Sequence, residues 1–240
     1  MIYASLLDRD ADIRANQLRM LEQSTEPDVF ELTLHLTKHV TQLDVRARLP
    51  LVDMTLPALR ALSPPQYHEF MRCFDELVRA DQRIGLFEWS LHKVLLRNLR
   101  PQFEHVRPQP IVYHGLQQLA RPCSVLLSAL AVASKHADSV VFEAGAQHLP
   151  EVNVQLLPPE ASRLDELDKA LERLARVAPK QRARLVDACA ACICADSDVN
   201  VAEGELLRAI CDIIDCPMPP LVAGQKVSPS FVPPPAHSDA

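Results

Sequence analysis

Two nine-residue stretches of the sequence carry acidic residues at the same spacing. Residues 80–88 read ADQRIGLFE and residues 195–203 read ADSDVNVAE, so both fit the pattern A-D-x-x-[IV]-x-[LV]-x-E. Four carboxylates occupy the shared acidic positions, those of Asp81, Glu88, Asp196 and Glu203. Calcium, magnesium and manganese prefer oxygen ligands of this kind. The repeated pattern therefore gives a candidate divalent-cation site.

The same pattern also has a structural interpretation, which is the commoner use of such residues. Each aspartate can accept hydrogen bonds from free backbone amides in a turn between two helices. Each glutamate would lie in the first turn of the following helix, near the positive end of its macrodipole. The aliphatic residues Ile84 and Val199 would fill the gap between the paired helices. Sequence alone leaves both interpretations open.

The second stretch begins like an EF-hand calcium loop, with Asp196-Ser197-Asp198-Val199-Asn200. An EF-hand needs glycine at the sixth position and a bidentate glutamate at the twelfth. Val201 and Leu207 stand at those positions here. The loop is therefore not expected to be an EF-hand.

Two further groups of residues resemble metal ligands. His35 and His39 have the spacing of the zinc peptidase motif HExxH, but Leu36 stands where the general-base glutamate is needed. Surface histidines are the simpler interpretation. A cysteine-rich stretch is the other group, with Cys189, Cys192 and Cys194, which Cys211 and Cys216 could join in a zinc site. Cysteines in an apolar helix more often act as small hydrophobic residues.

The sequence contains no glycine-rich phosphate loop, no G-x-S-x-G motif and no paired Cys/His nucleophile signature. We therefore name no catalytic residue in this chain, and an enzyme with a novel site, supported by the two histidines and the buried cysteines, is a further alternative. The formal net charge is −6 and the arginines are scattered. Nucleic-acid binders usually carry a basic stripe, so we do not expect a nucleic-acid partner.

The elements that must position these residues are predicted to be helices. Only five glycines occur in 240 residues, and most of the twenty prolines fall between apolar periodic segments. The patterns predict helices at about 2–22, 27–43, 49–62, 64–80, 86–100, 111–119, 122–136, 139–148, 163–177, 179–195 and 201–215. Ser63, Pro64 and Pro65 form a helix start, and Pro101 is expected to end a helix. The predicted fold is an all-α bundle of stacked helical hairpins.

The chain is expected to form two helical domains and a tail. The proline-containing connection Phe103–Pro110 separates a first domain, 1–104, from a second domain, 111–221. Residues 222–240 are rich in proline and are predicted to be a disordered tail. The longest apolar run, Cys123–Ser134, is too short to span a membrane, so it is expected to be a buried helix. With no secretory leader and an odd number of cysteines, the predicted location is the cytoplasm.

Three segments resemble known bacterial families. The segment Leu49–Phe103, LPLVDMTLPALRALSPPQYHEFMRCFDELVRADQRIGLFEWSLHKVLLRNLRPQF, resembles the region that follows the protease domain in HtpX-like membrane zinc metallopeptidases. The opening residues YASLLDRDADIRANQLRML are similar to the same proteins. The segment Leu185–Leu221 resembles the TerB-like helical domain of tellurite-resistance proteins, in which an A-D-G-x-[IV]-x-x-x-E loop recurs. Gln82 and Ser197 replace the usual glycine of that loop.

The resemblance implies a function for the chain as part of a larger protein. The parent would be a bacterial membrane-bound zinc metalloendopeptidase of membrane protein quality control, with its zinc in a protease part that this sequence lacks. This chain would be its non-catalytic regulatory or protein-interaction domain at the cytosolic face of the inner membrane. Its partner would be another protein, or the protease and membrane part of its own parent. The alternative is a TerB-like divalent-cation-binding module of stress or tellurite resistance.

Overall fold

The computed structural model describes residues 1–80, 84–106, 109–134, 138–195 and 199–218. In these ranges the regular secondary structure consists of α-helices and short 3-10 helices, with one isolated bridge between Tyr113 and Val177. The all-α prediction is confirmed. Over the same ranges we find no helix with the length and hydropathy needed to cross a membrane. The predicted disordered tail, 222–240, lies outside the described residues.

The chain divides into two compact units, 1–106 and 107–240. The predicted domains, 1–104 and 111–221, place their boundary in the same connecting segment. The described helices of the first unit are α1 (Ile2–Leu6), α2 (Ala11–Ser24), α3 (Pro27–Val40), α4 (Arg48–Arg60), α5 (Pro64–Val78) and α6 (Leu86–Phe103). Those of the second unit are α7 (Ala120–Ala133), α8 (Asp138–Ala146), α9 (Leu164–Leu174), α10 (Pro179–Ile193) and α11 (Val201–Ile214).

Three helices recur in both units at a constant spacing of 115 positions. Helix α5 begins at Pro64 and α10 at Pro179, and both are 15 residues long. Helix α6 begins at Leu86 and α11 at Val201, again 115 positions apart. The buried residues Val52 and Leu56 of α4 correspond in the same way to Leu167 and Leu171 of α9. The nine-residue acidic pattern is therefore the middle part of a longer internal repeat.

The predicted single helix over residues 2–22 is wrong, because the structure has two helices there. Asp10 is the N-cap of α2, and its carboxylate accepts hydrogen bonds from the backbone amides of Asp12 and Ile13. Asp8 in turn accepts from the Asp10 amide at 2.7 Å. A cap of this kind satisfies amides that have no partner within the helix, so it favours a new helix start at this point.

The break between α1 and α2 is also held by one buried amide side chain. Gln17 of α2 is 3% exposed. Its Oε1 accepts from the Asp8 amide at 2.8 Å. Its Nε2 donates to the carbonyl oxygens of Leu6, at 3.1 Å, and of Leu77, at 3.2 Å. Gln17 therefore connects the end of α1, the helix α2 and the last turn of α5.

Two other helix predictions are corrected by long-range contacts. Residues 111–116 are not helical, because the amide of Val112 donates to the Arg176 carbonyl at 2.8 Å and the amide of Ala178 donates to the Tyr113 carbonyl at 2.9 Å. Only the 3-10 turn Gln117–Leu119 follows. Pro101 does not end α6 either, and the helix continues to Phe103. The ring of Tyr67 stacks on Phe103 with 4.3 Å between centroids and stabilises that last turn.

Helix α7 forms the centre of the second unit, as its apolar sequence predicts. Ten of its fourteen residues are buried, including Ser124 and Ser128. The hydroxyls of these two serines accept from the backbone amides of Gln155 and Leu157, each at 2.9 Å. The serines therefore hold an extended segment, 153–158, against the helix.

Replacing Gln17 with methionine tests its connecting role. Gln17→Met keeps the length of the side chain but leaves three backbone groups without their hydrogen-bond partner. We expect the free energy of unfolding to fall by about 2–3 kcal/mol in urea denaturation. Gln23→Met, the same substitution at an exposed position of α2, is the control and should change stability by less than about 0.5 kcal/mol. Equal effects of the two variants would contradict this role.

Candidate functional site

Each acidic pattern lies at the turn of an antiparallel helix pair. In the first unit, Phe74 of α5 stacks on His92 of α6 with 5.6 Å between centroids, and Tyr67 at the start of α5 stacks on Phe103 at the end of α6. In the second unit, Arg182 near the start of α10 lies 3.8 Å from the carboxylate of Asp215, just beyond α11. The start of one helix thus meets the end of the next in both pairs.

The second turn is closed by a reciprocal capping box. The side chain of Asn200 accepts from the Glu203 amide at 3.0 Å, and the Glu203 carboxylate accepts from the Asn200 amide at 2.8 Å. Glu203 is 1% exposed and Val199 is equally buried. The Asn200 amide group also donates to the Ala133 carbonyl at 3.3 Å, which ties this turn to α7. The roles expected of Val199 and Glu203 in the structural interpretation are therefore observed, whereas Asp196 lies outside the described residues.

The first turn is built differently, although Glu88 again lies in the first turn of its helix. Gly85 is the N-cap residue and makes no side-chain cap hydrogen bond. A Cβ atom added at Gly85 would collide with the Glu88 carboxylate, so this side chain bends back over the glycine. The expectation that Ile84 fills the gap between the helices is wrong, because Ile84 is 53% exposed. Two larger side chains that follow it, Phe87 and Trp89, are buried instead.

The divalent-cation site stays a prediction. Asp81 and Asp196 lie outside the described residues. Glu88 and Glu203 belong to different units. Within the described ranges, no three histidine, cysteine, aspartate or glutamate side chains come together to hold a metal ion. Glu203 already accepts a backbone hydrogen bond, so a calcium, magnesium or manganese ion would have to compete with the capping box for that carboxylate.

The histidine pair lies on the surface of α3. Both His35 and His39 are exposed, and their rings meet edge to face with 5.3 Å between centroids. No further protein ligand joins them among the residues that the structure describes. Two imidazoles on a solvent-facing helix do not make the closed ligand set of a structural zinc site.

The cysteines of α10 lie in the apolar interior of the second unit. Cys189, Cys192 and Cys194 are all buried, as is Cys211 of α11. Burial raises the pKa of the Cys192 thiol to about 12 and raises that of Cys189 well above its usual value. The Cys189 and Cys192 thiols therefore stay protonated at neutral pH and pack as small hydrophobic residues.

An open cavity of about 450 Å³ lies beside the second turn. We call it the α8 groove, and it is lined by Ser139, Val140, Glu143, Ala144, Gln147 and Ala195. Val140 is 59% exposed, so an aliphatic side chain faces the open groove. Ala195 is the first residue of the second acidic pattern. Sequence analysis did not find this groove, although Val140, Ala144 and Gln147 have the spacing of one helix face.

The wall of the α8 groove is fixed by a close contact between α8 and α10. A Cβ atom at Gly145 would collide with the Cys192 sulfur and would lie 3.0 Å from the Ala188 carbonyl oxygen. Glycine therefore lets the two helices approach closely at this point. Just beyond α8, Arg184 of α10 holds Glu151 through two hydrogen bonds of 2.6 and 2.7 Å. Arg184 also donates to the His148 carbonyl at 3.4 Å.

The capping box predicts different effects of alanine at equivalent positions of the two turns. Asn200→Ala removes the acceptor of the Glu203 amide and should cost about 1–2 kcal/mol of unfolding free energy. Gly85→Ala removes no cap hydrogen bond, and its backbone, with φ −75° and ψ 167°, accepts any residue. We expect a smaller cost of about 0.5 kcal/mol, because no cap hydrogen bond is lost and only the general preference for glycine over alanine at an N-cap remains. Chemical denaturation of both variants measures the difference.

The Arg184–Glu151 pair predicts an acid-dependent contribution to stability. The hydrogen bonds from Arg184 lower the pKa of Glu151. A carboxyl whose pKa is lower in the folded state stabilises the fold above its unfolded pKa, and the contribution is lost as pH falls through the folded pKa. Arg184→Gln should therefore destabilise the chain by about 1 kcal/mol at pH 7, with the difference shrinking toward about pH 3.

Arg163→Gln is the control for this pH series, because the Arg163 side chain is 75% exposed and lies 4.0 Å from its acidic neighbour Asp165. Its stability should follow that of the original chain at every pH. A loss in Arg184→Gln that stayed constant from pH 7 to pH 3 would rule out the ionic contribution.

Comparison of the chain with protein-family models, with curated proteins and with solved structures found no match. What the site can do must therefore be argued from its geometry. The second unit combines a turn closed by a capping box with an open groove, whose described lining contains one carboxylate, that of Glu143.

Proposed function

We propose that this chain is a non-catalytic regulatory module that binds a partner protein in the α8 groove. The groove is the observation that carries the proposal. It combines an exposed aliphatic side chain, Val140, with small side chains at Ala144 and Ala195 that leave room for a partner. A helix face of this kind fits the apolar side of a partner helix. The absence of a complete catalytic motif from the sequence agrees with a binding role.

The charge of the α8 groove selects the chemistry of the partner. Among the described residues of the lining, Glu143 is the only one with an ionisable side chain, and Asp138 begins the same helix. Neither α8 nor this described part of the lining contains a lysine or arginine. A partner helix that places a basic residue beside its apolar anchor would therefore be favoured over an acidic one, since opposite charges across an interface steer and select binding.

The family resemblance suggests where the module works. If the chain is the TerB-like region of an HtpX-like zinc metallopeptidase, the partner helix belongs to the protease or membrane part of that parent, or to a protein that regulates it. The module would then act in the cytoplasm, at the inner face of the bacterial membrane. The order of the resembling segments along the chain supports this context. The binding chemistry of the α8 groove does not depend on it.

Two synthetic helical peptides test the proposal by fluorescence polarisation. One combines leucine with lysine and the other combines leucine with glutamate. The original chain should bind the lysine peptide more tightly. Val140→Asp should weaken that binding by roughly tenfold, because it places a charge at the apolar anchor. Val132→Asp is the control, since Val132 is 47% exposed and does not line the groove.

A charge reversal completes the test. Glu143→Lys should reverse the preference, so that the glutamate peptide binds roughly tenfold more tightly than the lysine peptide. Equal binding of both peptides to the original chain, or an equal loss in Val140→Asp and Val132→Asp, would overturn the proposal.

A further inference from the structure

The end of helix α11 is closed by a left-handed turn. Asp215 has φ 55° and ψ 53°, which is the left-handed region of backbone conformation. The amide of the next residue, Cys216, donates to the carbonyl oxygen of Cys211 at 3.0 Å. This bond reaches back five residues and is the defining bond of the Schellman motif. Asp215 is a less common choice than glycine at such a position, so the turn is held against a small conformational cost.

The Schellman motif joins the backbones of two cysteines. In this motif the residue after the left-handed position usually makes a side-chain contact with the residue whose carbonyl it binds. Those two residues are Cys216 and Cys211. Burial raises the pKa of Cys211 to about 12, and the charge of Cys216 adds to this rise. None of the seven cysteines, all of which lie in the described ranges, forms a disulfide.

Cys216 is the cysteine that a dissolved oxidant can reach. It is partly exposed, whereas the other six cysteines of the chain are buried. The charged groups that influence its thiol are Asp187, Arg182 and Asp215. Burial and the two carboxylates raise the pKa of this thiol, against the opposite effect of Arg182. Reaction through the thiolate should therefore be slow at neutral pH and faster as the pH rises.

We propose that Cys211 and Cys216 form a reversible intramolecular disulfide when the chain meets a low-molecular-weight disulfide such as oxidised glutathione. The Cys216 thiolate attacks one glutathione sulfur, and the first glutathione thiolate leaves. The Cys211 thiolate then attacks the Cys216 sulfur, and the second glutathione thiolate leaves. The cysteine pair loses two electrons and two protons, and both go to the two glutathione thiols. The inference is independent of the partner proposed for the α8 groove.

The new bond would fix the last turn of α11. A disulfide across residues 211–216 closes a short ring around Asp215, so the direction in which the chain leaves the helix becomes constrained. In a reducing cytoplasm the pair stays as thiols, and cytoplasmic disulfides are usually transient and redox-sensing. This gives the second unit a response to oxidation at a site separate from the α8 groove.

Oxidised glutathione and intact-protein mass spectrometry test the inference on the full chain. The original chain should lose two hydrogen masses without keeping bound glutathione, and peptide mapping should join Cys211 to Cys216. Treatment with dithiothreitol should restore the original mass. Cys216→Ser should not form an intramolecular disulfide. A stable glutathione adduct on Cys216, a bond to another cysteine, a cross-linked dimer or no reaction would each overturn the proposal.

Two substitutions at Asp215 separate the geometry of the turn from its charge. Asp215→Asn removes the carboxylate but keeps a residue that accepts the left-handed conformation, so ring closure should stay fast. Asp215→Val disfavours that conformation and should slow ring closure roughly tenfold, with the glutathione adduct accumulating on Cys216. Circular dichroism shows whether both variants keep the helical fold. Equal closure rates in two folded variants would contradict the role of the Schellman motif.

Discussion

The second unit depends on the close approach of α8 to α10 at Gly145. The hydrogen atom of this glycine faces the Cys192 sulfur, where any larger substituent would collide. Val141 and Phe142 of α8 are buried together with Gly145, whereas Val140 and Ala144 on the same helix line an open groove. The ion pair of Arg184 and Glu151 then holds the segment after α8 against α10. The position of α8 is therefore set by the contact at Gly145 and by the ion pair just beyond the helix.

The two copies of the internal repeat have the same helix order but side chains of different size in their cores. At the positions of the aromatic residues Phe74 and Trp89 in the first unit, the second unit has Cys189 and Gly204. Smaller side chains in α10 and α11 leave space for another helix to approach, and α8 packs closely on α10. The two turns of the repeat differ as well. One is closed by the polar side chain of Asn200, and the other is followed by buried aromatic residues. Equal spacing along the sequence therefore does not imply equal sites.

Local signals in the sequence predicted the helices well. Pro27, Pro64 and Pro179 each begin a helix as expected, and Ser63 makes a capping box with Gln66. The helix predictions are wrong where contacts between residues far apart in the sequence determine the local structure. Gln17 holds a break that the apolar pattern does not reveal, and pairing of residues 112–113 with 176–178 replaces a helix. The α8 groove could not be predicted, because it depends on the contact of Gly145 with a helix about 45 positions later.

The difference in rise between a helix and an extended chain limits how far the segment 153–158 can pair with α7. Two serines four positions apart on a helix are about 6 Å apart along its axis. Two residues of extended chain advance about 6.6 Å, so alternate amides nearly match this repeat. This difference in length accumulates with each further pair of residues. In addition, successive serines of this spacing rotate around the helix, away from the line of a straight extended segment. Val132 stands where a third serine would be, and Pro158 follows the second bound amide. The two serines therefore allow only one register of the extended segment on the helix.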